Sequence, residues 1–179
     1  AYAFYSGAAR KTATTAIIRN TVFDNIVFRA AEGQAMQETF GVVSFNTGII
    51  QNCVVRAKAT AGNSANYKTG GAVCGTNEFR GRIYNCIAYM DASETSGGYV
   101  ASIMALCQGV AKDCIGIVTA AGAADVRAIC FINSSSVVGC EQFADEAAAV
   151  AKYAPFGSFD ARVWELAPDA LPALKRLSA

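Results

Sequence analysis

The sequence predicts an all-β protein: a right-handed parallel β-helix, or solenoid, of about five repeats, with a short helix and a C-terminal capping segment. Three observations predict it. A short Asn-Cys phrase recurs, brief apolar runs alternate with Gly, Asn and Ser, and helix-period segments are nearly absent before residue 144. We assign the repeats to residues 1–143. Residues 144–179 would hold the helix, a Trp-containing strand and the cap of the same domain.

The recurring phrase sets the repeat length. Its copies are Ile17-Ile18-Arg19-Asn20-Thr21, Ile49-Ile50-Gln51-Asn52-Cys53, Ile83-Tyr84-Asn85-Cys86, Ala111-Lys112-Asp113-Cys114 and Val137-Val138-Gly139-Cys140. From Thr21 through the cysteines, the steps are 32, 33, 28 and 26 residues. Self-similarity at such a period is typical of stacked supersecondary units rather than of one irregular core.

Each repeat contains two or three short strands. A small, β-rich strand comes first, at 41–45, 71–75, 101–105 and 127–131, and a polar turn separates it from the Asn-Cys strand. One such unit cannot bury its apolar face alone. Stacking equivalent strands in parallel at about 4.8 Å buries it, and the usual crossover rule makes the coil right-handed.

Equivalent residues of successive repeats would then form columns. We expect an inward column of Cys53, Cys86, Cys114 and Cys140, because cysteine is small and behaves as a modest hydrophobe when buried. Stacked reduced thiols are favoured, and disulfides between neighbours are the alternative. Asn52 and Asn85 would form a structural ladder at the turn, since asparagine tolerates left-handed backbone and can bond its own main chain.

Residues 41–53 resemble the GLUG repeat, a glycine-rich and Asn-Cys-rich β-helix repeat of bacterial surface and secreted proteins. Residues 71–86 match with three inserted residues, and the last two repeats match in part. The tail, with Trp164 and Pro172, is similar to the closing segment of such proteins. The resemblance implies a module of the kind found in adhesins, protease-associated proteins or phage fibres. It implies no catalytic residues, because the repeat has none of its own.

Composition excludes several classes of function. The net charge is +1 with Lys and Arg scattered along the sequence, which argues against nucleic-acid binding. No apolar stretch is long enough for a membrane span. The chain has no histidine and no Cys-x-x-Cys pair, so we predict no metal, no cofactor and no Ser-His-Asp or Cys-His catalytic group.

The candidate binding residues lie in two polar segments, 58–69 and 91–99. Insertions in solenoids gather on one face, and that face often binds ligands. Aromatic rings beside planar polar groups suit a shallow glycan-binding surface, and a plain solvated loop is the alternative reading. The candidates are Asn63, Asn66, Tyr67, Lys68, Asp91, Glu94 and Tyr99, with Lys58 beside them.

Helix formers fill residues 144–153, with acidic residues early and Lys152 late, as the helix dipole favours. The Trp164 strand and the Pro-x-Leu segment are expected to cover the last repeat. No such cover precedes the first repeat, so we expect a partner subunit, as in a homo-oligomer, or a larger parent chain on the N-terminal side.

Three functions remain open. The first is a non-catalytic module of an extracellular or cell-surface protein that binds glycan or another surface ligand. The second is a phage tail-fibre, tailspike or filament subunit. The third is a polysaccharide lyase or glycoside hydrolase. Its candidate carboxylates are Asp91, Glu94, Asp113 and Asp125, but they do not recur as pairs at the repeat spacing, so the residues favour a non-catalytic role.

Overall fold

The structure is a computed structural model that describes residues 9–11, 13–29, 41–61, 69–95, 99–119, 125–126, 129–130, 132–133, 136–154 and 156–176. These residues are mainly β-structure. The helices among them include none with the length and apolar character needed to cross a membrane.

The strands are short, apart from two of 13 residues. Within the described residues they are β1 (Ala9–Lys11), β2 (Ile17–Arg29), β3 (Val43–Asn46), β4 (Ile49–Ala61), β5 (Thr69–Gly71), β6 (Cys74–Asn77), β7 (Arg82–Tyr84), β8 (Ile87–Thr95), β9 (Tyr99–Ala101), β10 (Met104–Cys107), β11 (Val110–Lys112), β12 (Ile115–Thr119), β13 (Asp125–Val126), β14 (Ile132–Asn133), β15 (Ser136–Val138), β16 (Glu141–Phe143), β17 (Trp164–Ala167) and β18 (Ala170–Leu174), with helix α1 (Glu146–Tyr153) between β16 and β17.

Three sheets are parallel. Sheets A and C take one strand from each repeat that they include, whereas sheet B takes one strand from each of the first two repeats and two from each of the last three. Sheet A has the order β1-β3-β6-β10-β14, and sheet C has the order β13-β9-β5. Sheet B is curled and runs β15-β11-β7-β4-β8-β12-β16, with β2 also paired to β4. Strands β17 and β18 pair antiparallel. The predicted all-β class and the parallel pairing of repeats are confirmed.

The register of sheet B follows the repeat read from the sequence. Thr21 lies opposite Cys53, and Ile50 lies opposite Ile83. In the later repeats Ala111 pairs with Ile83 and with Val137. We number the repeats by their sheet B strands: β2 is the first, β4 the second, β7 with β8 the third, β11 with β12 the fourth, and β15 with β16 the fifth.

Sheet B bends along one line, and the bend has a local cause. Strand β4 pairs with β7 before Asn52 and with β8 after it. Left-handed backbone occurs at this position in every repeat, with φ of 52° at Asn20, 51° at Asn52, 49° at Asn85, 53° at Asp113 and 63° at Gly139. Asn, Asp and Gly adopt this region at the lowest energy, which explains the residue types of the phrase. We call the two parts of sheet B its first and second halves.

The interior is a continuous apolar column. Ile50, Ile83 and Ala111 fill it beneath the first half, and Val55, Met90 and Val118 fill it beneath the second half. Small residues such as Ala88 and Gly116 alternate with the large ones, and a side chain at Gly116 would collide with Ser102. Period-2 alternation therefore decides which residues face inward.

The C-terminal segment differs from the predicted cap. Instead of covering the last repeat alone, it runs back across the outer face of the second half. Trp164 and Leu171 are buried there against Val54, Ile87 and Ile115, which belong to three successive repeats. The physical reason is that this outer column is itself apolar, so it needs a cover along its length. Strand β18 accordingly reaches both β4 and β2.

Helix α1 ends at Tyr153 as predicted but begins at Glu146, two residues after the predicted start. The Asp145 carboxylate caps it by accepting a hydrogen bond from Ala148 N at 2.8 Å. Lys152, in the last turn, donates to the Glu141 carboxylate, which ties the helix to β16. The C-terminal segment is thus anchored at the fifth repeat before it turns back towards the first.

Candidate functional site

The predicted binding residues fall into three groups. Asn63, Asn66, Tyr67 and Lys68 lie outside the described residues. Asp91 and Glu94 belong to β8 in sheet B, whereas Tyr99 begins β9 in sheet C. Of the proposed surface, the structure therefore brings together Asp91, Glu94 and the neighbouring Lys58.

These three residues belong to an outward-facing array in the second half of sheet B. Register places Arg56 beside Tyr89 and Lys58 beside Asp91 on neighbouring strands, while the intervening Ala57 and Met90 point into the core. Glu94 follows on β8. We call Arg56, Lys58, Tyr89, Asp91 and Glu94 the lateral face. Tyr89, at one end of this face, is half-buried and packs against the cluster that contains Trp164.

Lys58 joins the two carboxylates. Its Nζ lies 2.6 Å from Glu94 Oε1 and 3.7 Å from Asp91 Oδ2. Asp91 also accepts hydrogen bonds from Ser93 N at 2.9 Å and Ser93 Oγ at 2.5 Å. Because such exposed pairs contribute little to stability, their main effect is to fix the direction of the side chains.

The same contacts set the protonation states. The Ser93 hydrogen bonds, with help from Lys58, hold the pKa of Asp91 below its usual value. The Glu94 hydrogen bond raises the pKa of Lys58. Both shifts move the pKa away from neutral pH, whereas general acid or general base catalysis favours a pKa near the working pH.

Arg56 and Tyr89 add a flat platform beside the charges. Arg56 Cζ lies 5.1 Å from the centre of the Tyr89 ring, a cation–π arrangement. Arg56 Nη1 is also 4.0 Å from Asp24 Oδ2. Burial, followed by the charge of Glu146, raises the pKa of Tyr89 to about 12. The sequence analysis missed both residues, although period-2 alternation along β4 and β8 signals their outward direction.

The cysteines of the phrase form a regular inner column. Each thiol lies against the carbonyl oxygen two residues earlier: Cys53 at 3.3 Å, Cys86 at 3.3 Å, Cys114 at 3.4 Å and Cys140 at 3.4 Å. All four are free thiols. Burial raises the pKa of Cys86 and Cys114. Cys86 donates to Cys53 and lowers its pKa, but Cys53 has no exposed surface.

The asparagines at the bend contact one another and the C-terminal segment. Asn52 Nδ2 donates to Asn20 Oδ1 at 3.1 Å, and Asn52 Oδ1 accepts from Trp164 Nε1 at 3.4 Å. Asn85 Nδ2 donates to the Ser158 carbonyl oxygen at 2.8 Å. The asparagine side chains at this bend therefore hold the C-terminal segment in place, and they also link neighbouring repeats.

A second pair of asparagines lies inside the molecule and was missed by the sequence analysis, which treated these residues as turn formers. Asn46 Nδ2 donates to Asn77 Oδ1 at 2.9 Å, and Asn77 Nδ2 donates to the Val110 carbonyl oxygen at 3.1 Å. Both residues are fully buried. Their amides link the second, third and fourth repeats at the corner between sheets A and B.

The carboxylates considered for catalysis do not form one site. Asp91 and Glu94 are on the lateral face, Asp113 is at the bend beside Lys112, and Asp125 is in β13 of sheet C. Among the described residues, no group of three or more Asp, Glu, Cys or His side chains is arranged to hold a metal ion.

Comparison with known proteins identifies no relative: no family model, curated protein or solved structure matches the chain. The resemblance to the GLUG repeat therefore stays a prediction. The functional argument depends on the geometry of the chain's own residues.

Proposed function

We propose that the chain is a non-catalytic ligand-binding module of a secreted or cell-surface protein, built as a right-handed parallel β-helix of the GLUG type. Support for the closed coil comes from the strand order: the second, third and fourth repeats each supply sheet A, then sheet B, then sheet C, always in parallel, and the described strands of the first and fifth repeats belong to sheets A and B. Buried free thiols are compatible with this location, because burial protects them from the oxidants of extracellular space.

The lateral face is the proposed glycan-binding surface, and the observation that carries the proposal is the Arg56–Tyr89 platform beside the Lys58 ion pairs. Sugars present apolar C–H faces and planar arrays of hydroxyl groups. The Tyr89 ring suits the former, and the Asp91 and Glu94 carboxylates suit the latter. Because rigid strands hold these groups, binding requires little reorganisation.

A glycan array with the purified chain tests the proposal. Arg56→Ala and Lys58→Ala should each weaken binding to the retained glycans. The first removes the guanidinium that lies against the Tyr89 ring, and the second removes the ammonium that orients the carboxylates of Asp91 and Glu94. Arg176→Ala and Lys175→Ala are matched controls, since they remove the same charges at exposed positions after β18. An array without retained glycans, or equal losses in all four variants, would contradict glycan binding on this face.

A second candidate is end-to-end assembly into a fibre or filament. The first repeat exposes Ile17 by 55%, Val22 by 49% and Val27 by 48%, and the fifth repeat exposes Val138 by 54%. Within the described part of the chain, β2 pairs only with β4, which leaves one strand edge unpaired. Light scattering over a range of concentrations tests this candidate: growth in mass supports it, and a constant monomer mass contradicts it.

A further inference from the structure

We propose that a second surface, on the first half of sheet B, binds an acidic polysaccharide. We call this surface the basic face; it consists of Arg19, Phe79, Arg80, Arg82, Tyr84 and Lys112. It lies on the other side of the bend from the lateral face and does not depend on glycan binding there.

Strand register brings the basic residues together from distant parts of the sequence. Arg19 pairs with Gln51, Gln51 with Tyr84, and Tyr84 with Lys112, so they form one column across four repeats. Arg82 lies two residues before Tyr84 on β7 and therefore points to the same side. The residue between them, Ile83, is fully buried in the core. Arg19, Arg82 and Lys112 consequently share the outer face.

The three arginines are not neutralised by neighbours. Arg19, Arg80 and Arg82 are exposed, and none forms a salt bridge with a carboxylate in the part of the chain that the structure describes. Lys112 differs, because its Nζ lies 3.8 Å from Asp113 Oδ2. The acidic residues closest along the chain are Glu78 and Asp113, which are half-buried, and Asp24, which is exposed but lies 4.0 Å from Arg56 on the other side of the bend. The exposed surface is therefore cationic, and guanidinium groups bind carboxylate and sulfate oxygens in pairs.

Phe79 is the most exposed large apolar side chain of the described residues, with 81% of its surface in water. A tight turn places it there: Gly81 N donates to the Glu78 carbonyl oxygen at 2.7 Å, so Phe79 and Arg80 occupy the tip. A side chain at Gly81 would collide with Asn77 and with the Asn46 carbonyl, so this turn cannot relax inward. An exposed ring beside arginines suits a sugar ring that carries an anionic group.

The spacing favours an extended polysaccharide. Arg19 and Arg82 are two strands apart and offset by two residues along the strand, a Cα separation of about 12 Å at the usual strand dimensions. That distance is comparable with the disaccharide repeat of an extended acidic polysaccharide, which carries its charge at regular intervals. Single-stranded nucleic acid is a weaker fit, because it needs a series of stacking rings and the basic face has only one highly exposed ring.

Titration calorimetry with four probes tests the inference: heparin, polygalacturonate, neutral dextran and oligo(dT). We expect at least one acidic polysaccharide to bind and dextran not to bind, with affinity that falls as salt rises. The Arg80→Ala/Arg82→Ala double variant should bind the acidic polysaccharide about tenfold more weakly or worse. A tenfold rise in the dissociation constant corresponds to a loss of about 1.4 kcal/mol of binding free energy. Phe79→Ala should lose affinity without any change in charge.

Two controls separate this inference from its competitors. The Lys175→Ala/Arg176→Ala double variant removes the same net charge away from the basic face and should bind the acidic polysaccharide as the parent does. Arg162→Ala, on the C-terminal segment and outside both faces, should also leave this affinity unchanged. Equal losses in both double variants, no preference over dextran, or tighter binding of oligo(dT) would each overturn the proposal.

Discussion

Replacement of Asn85 tests whether left-handed backbone at the bend specifies the fold. Asn85 has φ of 49°, and its Nδ2 donates to the Ser158 carbonyl oxygen at 2.8 Å. Alanine in this region costs about 1–2 kcal/mol of backbone strain. Loss of the side-chain hydrogen bond costs about 0.5–1.5 kcal/mol more. We therefore expect Asn85→Ala to lower the free energy of unfolding by about 2–3 kcal/mol.

Asn85→Gly separates these two contributions. Glycine loses the same hydrogen bond without the backbone strain. Its unfolded state is more flexible, however, and this lowers the free energy of unfolding by about 0.5–1 kcal/mol. The glycine variant should therefore be more stable than the alanine variant by up to about 1 kcal/mol. Gln51→Ala is the control, because Gln51 lies on the same face without positive φ. Urea unfolding followed by circular dichroism measures all three, and an alanine variant as stable as the glycine variant would refute the reasoning.

Three further predictions concern the C-terminal segment, the thiols and one ion pair. Trp164→Ala should destabilise the chain by about 3–5 kcal/mol in the same assay, because Trp164 is fully buried on the outer face; little change would contradict that packing. A thiol reagent should modify Cys130 and Cys140 before the five buried cysteines in the native chain and all seven cysteines in denaturant; equally early reaction of the buried thiols would show that the core is open. The pKa of Asp160 is about 2 because the side chain and the backbone N–H of Arg162 donate to its carboxylate, so NMR titration should find the pKa raised in Arg162→Ala but still below the usual value, since the backbone N–H remains. This pair's contribution to stability is present above pH 4 or so and is lost as the pH falls through about 2; an unchanged Asp160 titration in the variant would rule the pair out.

The stacking of repeats was predictable because the phrase combines two independent constraints. Asparagine at a left-handed bend is a local requirement, met at Asn20, Asn52 and Asn85. Cysteine after it is a packing requirement, since the inner column has room for a small apolar side chain at that level. When local conformation and packing select adjacent residues at one period, the register follows from the sequence alone.

The position of the C-terminal segment was harder to predict, because the sequence analysis assumed that a strand buries only one face. Ile87 and Ile115 point outward, and both are buried beneath the C-terminal segment. A strand that is apolar at both odd and even positions predicts cover on both faces. That signal was present at 53–55 and 86–88, but the sequence does not say which segment provides the cover. The choice depends on a tertiary contact between residues more than a hundred positions apart, such as Trp164 with Asn52.

The distribution of charge on the surface is the property that the sequence alone predicts least well. Along the sequence, Arg19, Arg82 and Lys112 are scattered, and a net charge of +1 argues against a basic stripe. Parallel register changes that conclusion, because residues one repeat apart become neighbours separated by a single strand spacing. A scattered pattern in a repeat protein is therefore evidence about binding only after each charge is assigned to its column. For this chain the assignment puts Arg19, Arg82 and Lys112 on one face, where linear charge statistics predict no basic surface.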